Sequence, residues 1–83
     1  MTFPTIHLNG TSKERLLEAI ENAYQSLNDA IDKLKETAPN GRDYYPQGNT
    51  ALGAAIKEHT SRMQRIDDVR NELGAIAKEI SFK

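Results

Sequence analysis

The stretch "LLEAIENAYQSLNDAIDKLKETA", residues 16–38, decides the fold. Within it Leu17, Ile20, Tyr24, Leu27, Ile31, Leu34 and Ala38 are spaced 3, 4, 3, 4, 3, 4. An α-helix turns once in about 3.6 residues, so this alternation keeps every member on one side of a rod. Leu16, Ala23 and Ala30, themselves seven apart, widen the apolar strip. Upstream, "TSKE" supplies Thr11 as a helix N-cap with Glu14 three residues later, the spacing of a capping box. Downstream, Pro39 disfavours helical geometry at Ala38, and Asn40-Gly41 can adopt positive φ. The pattern predicts a first helix over 12–37.

A second strip follows the intervening segment. Leu52, Ile56, His59, Met63, Ile66, Leu73 and Ile80 repeat the helical spacing, with Val69 and Ile76 on the flank and Ala77 at one more seam position. His59 and Arg70 interrupt its apolar character. These residues predict a second helix over 50–80, joined to the first by a loop over 38–49. At the other end, Ile6 and Leu8 alternate with Thr5 and His7, which predicts an extended arm over 1–10. Pro4 restricts that arm to an edge strand, and Asn9-Gly10 ends it. The expected fold is all-α: one domain over 1–83, an antiparallel two-helix hairpin with a short extended N-terminal segment. Each apolar strip is wider than a bare two-residue seam, so self-association into a helical-bundle oligomer is expected to cover the remainder.

Composition narrows the function classes. The chain has 83 residues, 11 Lys and Arg against 12 Asp and Glu, and a formal net charge of −1. A grip on duplex nucleic acid needs a basic surplus, and this chain has none. With no cysteine it has no thiolate nucleophile and no cysteine zinc site. No run of residues is long and apolar enough for a membrane span, and the opening "MTFPTIHLNG" lacks the layout of a secretion signal. A cytoplasmic protein without membrane partners is expected.

The loop "APNGRDYYPQGNT", residues 38–50, is the strongest candidate site. Arg42 offers a planar fork of donors for phosphate or carboxylate. Tyr44 and Tyr45 offer faces for stacking and hydroxyls for hydrogen bonds. Asn40, Gln47 and Asn49 can read the polar edges of a ligand. The bland alternative is a turn made by prolines and glycines, with the tyrosines plugging the end of the hairpin. Loops of this length between helices are more often functional than shorter ones, which favours a small anionic ligand.

His59 can reach such a ligand or serve as a core histidine bonded to a carbonyl or tyrosine hydroxyl. Arg62 can join the site or pair with Glu58 one turn earlier. Arg70 in the seam is expected to pair with Asp32 or Glu21, within or between subunits. A second possible anion site is "NGTSK", where Thr11, Ser12 and Lys13 open a helix, although ordinary capping explains them too. In a hairpin it lies at the end away from the loop. The acid pairs Glu18–Glu21 and Asp29–Asp32 have the i,i+3 spacing of the E-x-x-E and E-x-x-D magnesium-binding motifs in all-α pyrophosphohydrolases, and Asp68–Glu72 is another acid pair. They stand beside or opposite the seam among Lys33, Lys35 and Arg65, where a solvated face is the simpler reading. Neither a catalytic nucleophile nor a metal set emerges, so no enzyme and no cofactor is expected.

Three stretches carry a resemblance: "IHLNGTS" (Ile6–Ser12), "APNGRDYYPQG" (Ala38–Gly48) and "EHTSRM" (Glu58–Met63). Together they resemble short, mostly uncharacterised proteins of bacterial phages and prophages. By looser analogy the resemblance implies an anti-defence role. Some small phage proteins are oligomeric sponges for cyclic nucleotide or ADP-ribose-type signals, as in the proteins that counter CBASS and Thoeris. Others block a host defence protein by contact, as anti-CRISPR proteins do, and a virion accessory is a further class.

Overall fold

The structure, a computed structural model, describes residues 1–82. It is all-helical. Helix α1 spans Lys13–Lys35, a short helix α2 spans Gly41–Tyr44, a 3-10 turn follows over Tyr45–Gln47, and helix α3 spans Ala51–Ser81. Among the described residues there is no strand and no helix long and apolar enough to cross a membrane.

The two long helices lie side by side. Lys13 Nζ donates to the Ser81 carbonyl at 3.5 Å, the Tyr24 ring lies against Gly74, and Arg70 Nη1 donates to Asn28 Oδ1 at 3.0 Å. Partners on α3 fall in number as those on α1 rise, the order of contacts between antiparallel helices. The molecule measures 61 × 21 × 18 Å, with a radius of gyration of 18.4 Å. A globular chain of this length would have a radius near ~12 Å. It is a rod two helices wide.

Such a layer encloses little. Among the described residues only Ile20, Ile31, Ala55 and Ile80 are buried, and Ile80 alone is fully so. Here the seam expected for α3 needs correction: Ala55 is buried and Ile56 is 46 % exposed. Lys35, the last residue of α1, borders the same groove as Met63 and Gln64, so α3 before about Thr60 extends beyond α1. Ile56 therefore has no α1 side chain to meet. Ala38, placed on the α1 seam by its spacing, lies beyond the helix end and is exposed.

Three other expectations change. The alternation around Ile6 forms no strand, because nothing in the chain offers a ladder; Leu8 is 98 % exposed, and a turn closes with Gly10 N–H on the His7 carbonyl at 3.1 Å. The N-cap of α1 is Ser12, not Thr11: Ser12 Oγ accepts from Arg15 N–H at 3.2 Å, with Ser12 itself extended. Helical geometry starts one residue later than "TSKE" suggests, which moves the cap with it. Within the chain, Arg70 pairs with neither Asp32 nor Glu21. Its guanidinium donates to Asn28 across the helices and forms an ion pair with Asp67 one turn back, while Asn71 Nδ2 also donates to Asp67 at 3.2 Å. Asp32 instead pairs with Lys35 at 3.7 Å.

Two glycines give testable consequences. Gly53 lies in the first turn of α3, and a Cβ there would meet nothing within 4 Å. Gly53→Ala removes backbone freedom from the unfolded chain without a clash, so it should raise stability by ~0.5–1 kcal/mol in urea titration. Gly74 is the opposite case. A Cβ there would stand 3.2 Å from Tyr24 Cε2. Gly74→Ala asks the ring to move only slightly, and the helix propensity gained offsets the crowding. Gly74→Val adds branched carbons against the ring and should cost ~1–3 kcal/mol by overpacking, seen as a lower urea midpoint. An unchanged midpoint for the valine variant would show that the ring yields freely.

Candidate functional site

The segment between the long helices is folded rather than a plain loop. Asn40 caps α2: Asp43 N–H donates to Asn40 Oδ1 at 3.3 Å, and Asn40 Nδ2 donates to Asp43 Oδ2 at 3.0 Å. This reciprocal pair starts a helical turn at Gly41. Pro46 sits inside the 3-10 turn, and Gly48 N–H closes it on the Tyr45 carbonyl at 3.3 Å. Gly48 has φ 106°, a conformation that suits a residue without Cβ, and it redirects the chain toward α3. The folded segment leans on the projecting first turns of α3, where Gly41 approaches Leu52.

This packing leaves a shallow hollow of about 200 Å³, lined by Gly41, Tyr44, Tyr45, Gly48, Asn49 and Leu52. Tyr44 is half-buried in it, whereas Tyr45 is 78 % exposed. Of the residues singled out by sequence, Tyr44, Tyr45 and Asn49 meet there. Arg42 is one position from Gly41, fully on the surface, and its guanidinium has no hydrogen bond or ion pair among the described residues. Gln47 is exposed on the 3-10 turn. Asn40 is committed to its cap.

The remaining candidates lie elsewhere. His59 is half-buried, does not line the hollow and makes no hydrogen bond among the described residues. Arg62 pairs with Glu58 at 3.9 Å, an exposed pair one turn apart that contributes little stability. Both residues border a shallow shelf with Lys57, Ser61 and Arg65. Lys57 escaped the sequence reading and Arg65 entered it only as part of a solvated face, though their spacing of four from Ser61 was visible. Ser12 is occupied as the cap of α1 and Lys13 reaches Ser81, so with Thr11 they form the opposite end of the rod. Among the described residues no three His, Asp or Glu side chains gather as a metal site.

Chemically, the hollow offers an apolar floor, two aromatic rings and an amide, while the exposed guanidinium belongs to Arg42, the residue after the lining Gly41. It is smaller than the ~300–1,000 Å³ of enclosed ligand pockets, and suits a flat group laid on a ring rather than one swallowed whole. Compared with known proteins, the chain matches no family model, no curated protein and no solved structure.

Proposed function

We propose that this chain is a binding module, an antiparallel helical hairpin that self-associates and sequesters a small anionic ligand at the 38–50 segment without chemistry. A cyclic or linear nucleotide signal fits best: guanidinium meets phosphate, a tyrosine face takes the base, and Asn49 and Gln47 read its edges. In a phage-encoded protein this would disarm a host defence by removing its signal.

The observation that supports the reading is the Arg42–Tyr44–Tyr45 arrangement. Two aromatic rings line one hollow of a folded, capped segment, and that segment also carries Arg42, which has no hydrogen bond or ion pair among the described residues. Preorganised groups lose less freedom on binding. The test is native mass spectrometry of the protein alone and with a panel of cyclic and linear nucleotides. Addition of a fixed number of nucleotide masses per assembly supports sequestration; indifference to every compound removes the nucleotide reading.

A second reading draws on Tyr45, whose ring stands largely in solvent. Exposed aromatics next to arginine anchor protein interfaces, so the same segment would dock on a host defence protein or serve as a virion accessory. Pull-down of a single host protein, lost with Tyr45→Ala, would favour it.

A further inference from the structure

The two broad faces of the helix pair differ. One carries the grooves between α1 and α3, edged by Glu21, Gln25, Lys35, Gln64 and Asp67. Counting round α1 from the core-facing Ile31 at about 3.6 residues per turn places Leu16, Leu27 and Leu34 on the other side. Ala23 and Ala30 fall between them, and no charged residue from 16 to 34 lies on that strip. Because α3 runs the opposite way, the same count places Val69 and Ile76 on this side of the layer too. Val69 is 46 % exposed, Ala23 and Ala30 are exposed, and the leucines and Ile76 are only half-buried.

The surface area says how much is uncovered. The chain exposes 6302 Å². A compact monomer of its mass would expose about 5,000 Å², leaving roughly 1,300 Å² in excess. The arm before Ser12 accounts for part of this. Two chains covering all of it would bury about 2,600 Å², the range of obligate homodimers, and half of that still reaches a standard interface of ~1,200–2,000 Å². A helix layer with one apolar face lacks the second layer that domains are built from.

We propose that a second copy of this chain covers the face formed by Leu16, Ala23, Leu27, Leu34, Val69 and Ile76, giving a two-fold four-helix bundle. A second copy brings the same uncharged α1 strip and the same excess area, so one patch satisfies both partners. On α3, Glu72 and Glu79 stand one turn from Val69 and Ile76 and edge the face, as Glu58 and Arg62 do nearer the 38–50 segment, whereas the α1 strip from Leu16 to Leu34 is uncharged. The interface is therefore laid along the α1 strip, which ends at Leu34 before the 38–50 segment, and leaves both binding hollows open. This specifies the self-association within the reading above and does not depend on the ligand.

The experiment is sedimentation equilibrium from micromolar to near-millimolar chain. The wild type should have twice the chain mass, Ala23→Glu/Val69→Glu the single mass, and Glu21→Lys/Gln64→Lys on the opposite face the doubled mass. A wild type at single mass throughout overturns the proposal, as does a dimer that survives the first pair or is split by the second. Should the glutamates abolish helicity, the chain's lack of cysteine allows a milder probe. The thiol of Val69→Cys should lose maleimide reactivity as concentration rises while Gln64→Cys stays reactive; equal behaviour overturns the interface. Nucleotide uptake is scored separately, so a failed interface and a failed ligand reading give different results.

Discussion

Ile80→Asp is expected to leave the chain without a cooperative unfolding transition, and Ile80→Ala should lower its stability by ~2–5 kcal/mol. Ile80 stands one residue before the end of α3, where chains usually tolerate change. Yet among the described residues it is the one side chain with no exposed surface. It sits where the end of α3 meets the start of α1, beside the Lys13–Ser81 contact. A chain of this size has a net stability of ~4–12 kcal/mol, so a cavity at Ile80 removes a large share. A carboxylate there must either lose its charge or expel the helix end. Far-UV circular dichroism during urea titration, at one fixed chain concentration, reads the effect. A midpoint for Ile80→Asp equal to the wild type would mean that this end of the core contributes nothing.

The double variant Arg42→Ala/Tyr44→Ala should weaken nucleotide binding by roughly 10²–10⁴-fold, since a charged hydrogen bond and a stacked base each contribute ~1–3 kcal/mol. Helicity should stay the same, because Arg42 supports nothing else and Tyr44 lies outside the α1–α3 contact. Isothermal calorimetry with the nucleotide found by mass spectrometry provides the measurement. Retained affinity in a helical double variant would move the site away from this segment. Arg42→Lys separates charge from shape: a lysine restores attraction but not the planar fork, so it should recover only part of the loss.

Much of the fold was legible because helical periodicity is local. Leu17, Ile20 and Ile31 announce α1 by their spacing alone, and the antiparallel order of contacts needs only a connecting segment. What failed depends on distant partners. Ile56 outranks Ala55 in apolarity, but which is buried depends on where α1 stops, and no residue near Ile56 encodes that. The partner of Arg70 depends on the register between helices, which brings Asn28 opposite it rather than Asp32. The alternation at Ile6 is a true local signal without a second strand to receive it. At the candidate site, the pattern of Asn40 and Asp43 three apart is that of a capped helix start, but Gly41 and Pro46 hid it. Composition pointed to Arg42, Tyr44 and Tyr45; only coordinates could show that Tyr44 and Tyr45 share a hollow with Leu52 while Asn40 is already engaged.

The unequal lengths of the two rods have a dynamic consequence. The first turns of α3 stand beyond the end of α1, propped by the short segment that carries the tyrosines. Backbone amides there are protected by few buried contacts, so they exchange with solvent through local opening while the Ile20–Ile80 half stays closed. A molecule seated on Tyr44 would stitch this fraying end shut. Occupancy would then register as slowed deuterium uptake across residues 51–60, making the overhang a built-in reporter of whatever the rings hold.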